Sequence, residues 1–144
     1  MPHDDSVNIG FLFGDLLRAM KKSYQSHVKF SKLTFNQAKV LIHIAQSEGA
    51  RQIELAERLD IQPITLARVL DQLQQQGLIE RRVAPNDRRA YLLYLTSKAN
   101  TELDDIHQAI QKVNKTALGN LSEQATHDFI ETIRKMKSNL TQSF

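Results

Sequence analysis

Residues 52–73, QIELAERLDIQPITLARVLDQL, constrain the fold of this chain more than any other stretch. Their spacing predicts a helix, a tight turn and a second helix. Ile53, Leu55, Ala56 and Leu59 give the first helix an apolar side, and Leu66, Val69, Leu70 and Leu73 recur at i, i+3, i+4 and i+7 in the second. Between them, Asp60 is one of the few non-glycine residues that tolerate a left-handed turn, and Pro63 suits a first helical position, where no N–H is needed. Ala56 lets the two helices cross closely. This is the pattern of a helix-turn-helix, whose second helix enters a DNA major groove, with a plain helical hairpin as the less favoured alternative. Burying 66, 69, 70 and 73 leaves Ile64, Thr65 and Arg68 on the opposite face, with Gln62 at its head, as candidate base readers. Arg51 and Gln52, at the start of the first helix, are candidate phosphate contacts.

The remaining periodicities place helices on both sides. Ile9, Leu12, Phe13, Leu16, Leu17, Met20, Tyr24 and Val28 form a wide apolar face on a helix expected from Val7 to Val28. A polar link at 29–32 precedes Thr34 and Gln37, which fit a capping box for a centrally buried helix reaching Ser47. After Gly77 the period changes. LIERRV at 78–83 and AYLLYL at 90–95 are β-compatible, and the turn chemistry of 84–89 between them predicts a hairpin whose tip carries Asp87, Arg88 and Arg89. Thr96 is expected to cap a helix with a heptad seam at Ala99, Leu103, Ile106, Ile110, Val113 and Ala117. Ser122 is expected to cap a last helix with Ala125, Phe129, Ile133, Met136 and Leu140 on one side. The fold class is therefore mainly α with a small β-hairpin wing, a winged helix-turn-helix flanked by N- and C-terminal helices. A compact winged helix of about 60 residues cannot cover all the flanking apolar faces, so self-association into a homodimer is expected. Such a dimer would favour a palindromic site in double-stranded DNA.

Composition narrows the function further. With 144 residues and 41% hydrophobic content the chain can bury a real core as one domain or two closely joined parts. It has no cysteine, which excludes disulfides, thiolate metal sites and thiol chemistry in this chain. The N-terminus MPHDDSVN is acidic and polar, and no apolar run approaches the ~18 residues of a membrane span, so a soluble cytoplasmic protein without membrane contact is expected. The net charge of +3 is modest, but seven of the nine arginines (51, 58, 68, 81, 82, 88 and 89) and none of the ten lysines lie between 51 and 89. Arginine presents a planar fork to phosphates and guanine edges. No nucleophile with a base, phosphate-binding glycine loop or metal-ligand spacing is present, so neither enzyme chemistry nor a cofactor or metal is expected. Asp104, Asp105 and His107 fall beside the seam on a solvated face, and the five histidines are scattered.

Taken together, LTFNQAKVL, QIELAERLDIQPITLARVLDQLQQQGLIERR and PNDRRAYLLYLTSKA resemble the MarR family of transcriptional regulators over essentially the whole chain, and RVLDQLQQQGLI is similar to SlyA-like members. Ala84, Asn100 and Asp60 depart from the residues common in that family at those positions. The resemblance implies that Arg89 enters the minor groove and is held by Asp87, that Arg88 meets phosphate, and that Ile64, Thr65 and Arg68 read the major groove. It implies a DNA-binding domain at 33–95 between dimerisation segments at 1–32 and 96–144. It also implies a cleft between these parts for a small-molecule effector, an aromatic carboxylate or phenol, with Arg18 and His43 as candidate ligand contacts. The rival reading is a winged helix for protein or RNA contact, without duplex specificity.

Overall fold

The computed structural model describes residues 8–28 and 33–142. Val7 and the link at 29–32 lie outside the described residues. In chain order the elements are α1 (Ile9–His27), α2 (Phe35–Gln46), α3 (Gln52–Leu59), α4 (Pro63–Gln75), β1 (Ile79–Ala84), β2 (Asp87–Leu95), α5 (Ala99–Leu118) and α6 (Glu123–Thr141).

Helix starts follow local chemistry. The Asn8 side chain accepts from Phe11 N–H at 3.1 Å to open α1. The expected capping box opens α2: Thr34 Oγ1 accepts from Gln37 N–H, and Gln37 Oε1 accepts from Thr34 N–H at 3.0 Å. Between α3 and α4, Asp60 adopts φ 50°, the only positive φ on a non-glycine among the described residues. That geometry lets Asp60 N–H reach the Glu57 carbonyl and Ile61 N–H reach the Ala56 carbonyl, satisfying groups that the helix end would otherwise leave bare. Pro63 then starts α4.

Leu55 and Ala56 of α3 pack with Leu66, Leu70 and Leu73 of α4, and the same core takes in Leu41 and Ile44 of α2, Leu93 of β2 and Ile106 of α5. Each such leucine contributes about 1.5–3 kcal/mol by leaving water. Ile53 departs from expectation. It is 50% exposed, because one turn of α3 cannot bring both 53 and the 55–56 pair against α4.

The strands are antiparallel, and their ends differ from expectation. Only Pro85 and Asn86 form the turn, so β2 begins at Asp87, three residues before the predicted Ala90. Ala84 pairs with Asp87 but Val83 pairs with Tyr91, which leaves Arg88, Arg89 and Ala90 as a bulge on the longer strand. The base of β2 is held on its other edge by the α2–α3 connection. There Gly49 N–H donates to the Leu93 carbonyl at 2.8 Å, Leu93 N–H to the Ala50 carbonyl at 3.1 Å, and Leu95 N–H to Glu48 Oε1 at 2.8 Å.

Thr96 does not cap α5. Its hydroxyl donates to the Gly77 carbonyl instead, and Lys98 Nζ donates to the Gln76 carbonyl at 2.7 Å, so both residues tie α5's approach to the end of α4. Within α5 the buried seam is Ala99, Leu103, Ile106, Ala109 and Val113. Ala109 takes the buried place expected of Ile110, which is only partly buried against the core, and Ala117 is exposed, because the core ends before the helix does. Ser122 caps α6 through Ala125 N–H at 3.1 Å, yet no residue of α6 is buried.

Candidate nucleic-acid interface

The outer face of α4 is free. Leu66, Leu70 and Leu73 point inward with no exposure, while Gln62, Thr65 and Arg68 are exposed and Ile64 is 65% exposed. No side chain caps this helix, and its first turn carries no acid. Its leading N–H groups and the positive end of its dipole therefore face outward, an arrangement that favours an anion.

The wing brings Arg89 to the start of the same helix, where both line one cleft. Asp87 Oδ1 accepts from the backbone N–H of Arg89 at 2.9 Å, so the carboxylate fixes the path of the bulge and leaves the guanidinium out of that bond. Arg88 and Arg89 are exposed, and among the described residues neither they nor Arg68 form an ion pair. A cleft of about 420 Å³ is lined by Arg51, Gln52, Pro63, Asp87, Arg89 and Tyr91. The start of α3, the start of α4 and the wing thus meet around one concavity. Gln52 Oε1 is buried there without a hydrogen-bond partner. Ile53 and Tyr91, both substantially exposed, flank this cleft and were not among the interface residues expected from sequence. Strand alternation was the available signal for Tyr91.

The arginine cluster divides by role. Arg81, with an 18% exposed side chain, bonds the Ala67 carbonyl at 3.0 Å and Asp71 at 2.7 Å, bracing β1 against α4. Arg82 pairs with Glu80 at 3.1 Å and lies 3.9 Å over the Tyr94 ring. Arg58 donates to Ser47 Oγ at 2.9 Å. Arg51, Arg68, Arg88 and Arg89 face outward.

A second concavity of about 340 Å³ lies between α1, α2 and α5, lined by Lys21, Tyr24, Phe35, Lys39, His43 and Ile110 among others. The rings of Tyr24 and Phe35 meet edge to face at 5.5 Å, with Lys21 Nζ 5.5 Å from the Phe35 centroid. Tyr24 is 1% exposed and its Oη has no partner; the Nδ1 of His43 is likewise buried and unpartnered. Burial, then the charge of Glu102, raises the Tyr24 pKa. Burial first, then the charges of Lys39 and Arg58, lowers that of His43, so its imidazole is neutral near pH 7. Arg18 does not line this cavity: its side chain is 81% exposed and lies 3.4 Å from Asp15. Lys21, one turn further along α1, supplies the cation there.

Asp104, Asp105 and His107 are exposed on α5, and no cluster of His, Cys, Asp or Glu among the described residues is arranged to hold a metal. No described helix is long and apolar enough to cross a membrane.

Helix-turn-helix, bulged hairpin and flanking helices define a winged-helix protein of the kind found in transcriptional regulators. Residues 33–91 match the model of the MarR family. Among solved structures, MarR is similar at 23% identity with a TM-score of 0.90, over 99% of this chain and 97% of that one. The transcriptional regulator SlyA shows 25% identity and a TM-score of 0.81, covering 95% of this chain and 96% of its own. A mutant MarR from E. coli, complexed with operator DNA, shows 23% identity and a TM-score of 0.82 over 94% and 98% of the two chains. The chain carries a MarR-family domain.

Proposed function

We propose that this protein is a homodimeric, sequence-specific DNA-binding transcriptional regulator that occupies a palindromic promoter site. The observation that carries the reading is the convergence of Arg51, Gln52, Pro63, Asp87 and Arg89 around one outward-facing cleft at the head of α4, whose residues Gln62, Ile64, Thr65 and Arg68 are exposed. In this reading 33–95 contacts DNA, while 1–32 and 96–144 form the dimer. Gln62, Ile64, Thr65 and Arg68 read base edges in the major groove. Arg89, on the backbone that Asp87 fixes, enters the minor groove, and Arg88, Arg51 and Gln52 meet phosphates. The E. coli MarR relative complexed with operator DNA supports the partner class.

Dimerisation is supported by apolar surface that one chain leaves bare. Ile9, Phe11, Leu12, Leu16 and Leu17 of α1 and Phe129, Ile130, Ile133 and Leu140 of α6 are all exposed. Ile9 and Phe13 with Ile133, Met136 and Leu140 line a groove of about 620 Å³. A helix that buries nothing is marginal in water, so a second copy is the economical cover for α6.

The cavity between α1, α2 and α5 suits a small aromatic carboxylate or phenol whose binding releases DNA. Lys21 and Lys39 answer a carboxylate, His43 lies beside them in the lining, and Leu17, Tyr24, Phe35, Ile42 and Ile110 supply aromatic and apolar wall. Titration with salicylate tests this part: saturable heat in calorimetry, and a rise in the DNA Kd, are expected.

Selection of genomic fragments by the purified protein tests the main reading. An inverted repeat should be enriched, and the recovered duplex should shift in a salt-dependent way that a scrambled one does not share. Equal retention of scrambled duplex or RNA would instead favour the rival reading of a contact module without duplex specificity.

A further inference from the structure

The effector cavity and the recognition helix share one helical turn. Phe35, Asn36, Ala38 and Lys39, from the first turn of α2, line the cavity, but Gln37 in their midst does not. Gln37 is 9% exposed and committed at both ends of its amide. Its Oε1 accepts from Thr34 N–H at 3.0 Å, and its Nε2 donates to Gln72 Oε1 on α4 at 2.6 Å. Gln72 stands one turn beyond Arg68 on α4. Apolar contacts between helices tolerate small slides, whereas a hydrogen bond weakens steeply with misalignment, so this bond fixes how α2 and α4 register.

We infer that the Gln37–Gln72 hydrogen bond is the contact through which the state of the cavity sets the position of α4, with Gln37 as a positioning residue that touches neither ligand nor DNA. The inference rests on the cavity being an effector seat and names how that seat is coupled to DNA binding. A molecule pressing on Phe35 and Asn36 displaces the first turn of α2. The capping box makes the Gln37 side chain travel with that turn, and Gln72 passes the displacement to α4 beside Arg68.

Coupling between two positions is established by non-additivity. The test is a double-mutant cycle in the full-length protein, read by amide hydrogen exchange across α4, with α5 amides around Ile106 as the internal reference for global stability. Phe35→Leu perturbs the cavity wall, Gln72→Leu removes the acceptor, and Gln72→Glu keeps an acceptor in place. Neither duplex nor ligand enters the measurement, so its failure is distinct from failure of the effector reading, which the salicylate titration decides. Phe35→Leu should raise α4 exchange relative to α5 about threefold or more where Gln72 is retained and in the Q72E background, and leave it unchanged in the Q72L background. An equal rise in all three backgrounds, a rise shared by α5, or no rise at all would overturn the inference.

Discussion

Asp60 shows how one residue can be both legible and suboptimal. Its φ of 50° is strained for a side chain with a Cβ and free for glycine. Asp60→Gly should raise stability by up to about 1 kcal/mol in chemical denaturation, and Asp60→Val should lower it. His43 should give stability a pH dependence. Its folded pKa lies below its unfolded one, so the unfolded chain binds more protons between the two values. The contribution is present above the usual histidine pKa of about 6.5 and is lost as pH falls through the lowered value. Replacing His43 with Gln should flatten the fall in denaturation midpoint between pH 7 and pH 5. At the interface, Arg68→Ala should cost ~1–3 kcal/mol of DNA binding and relax preference at one base pair, while Arg88→Ala should weaken binding to all sequences and reduce the salt slope by about 1. Unchanged affinity and salt slope after both substitutions would remove these residues from the interface.

The wing's geometry is set by two acids that bind in different ways. Asp87 accepts a backbone N–H, so Asp87→Asn should keep the bulge and most DNA affinity, while Asp87→Ala should forfeit about 1 kcal/mol of it in a mobility-shift titration. Asp71 takes the Arg81 guanidinium and so helps join β1 to α4. The capping box at Thr34–Gln37 and the left-handed residue at Asp60 are readable in the sequence because each involves neighbours within four positions. The start of β2 is not. Turn-forming residues at 84–89 mimic a six-residue loop, and only pairing with β1 draws Asp87 into the strand opposite Ala84 and leaves Arg88 to Ala90 as a bulge. Thr96 departs from its expected role for a related reason: a threonine before a helix can cap it, but here the Gly77 carbonyl, distant in sequence, competes successfully for its hydroxyl.

The assembly should depend on the face of α6. Phe129→Lys with Ile133→Lys places two charges on an apolar seam that one chain leaves exposed, so the fold should persist while sedimentation shows monomers. Such a monomer should hold one half-site and lose most of its preference for an inverted repeat. A dimer unaffected by both changes would show that another surface joins the copies. Helical periods of 3.6, the alternation of strands and the φ preferences of Asp, Pro and Gly act between near neighbours, so the order of elements and the inward and outward faces of α4 follow from the linear pattern. The tertiary structure decided which of seven clustered arginines remain available, because Arg81, Arg82 and Arg58 find partners supplied largely by folding. It likewise decided that Lys21, not Arg18, faces the cavity between α1, α2 and α5, since a cavity exists only where distant helices fail to meet.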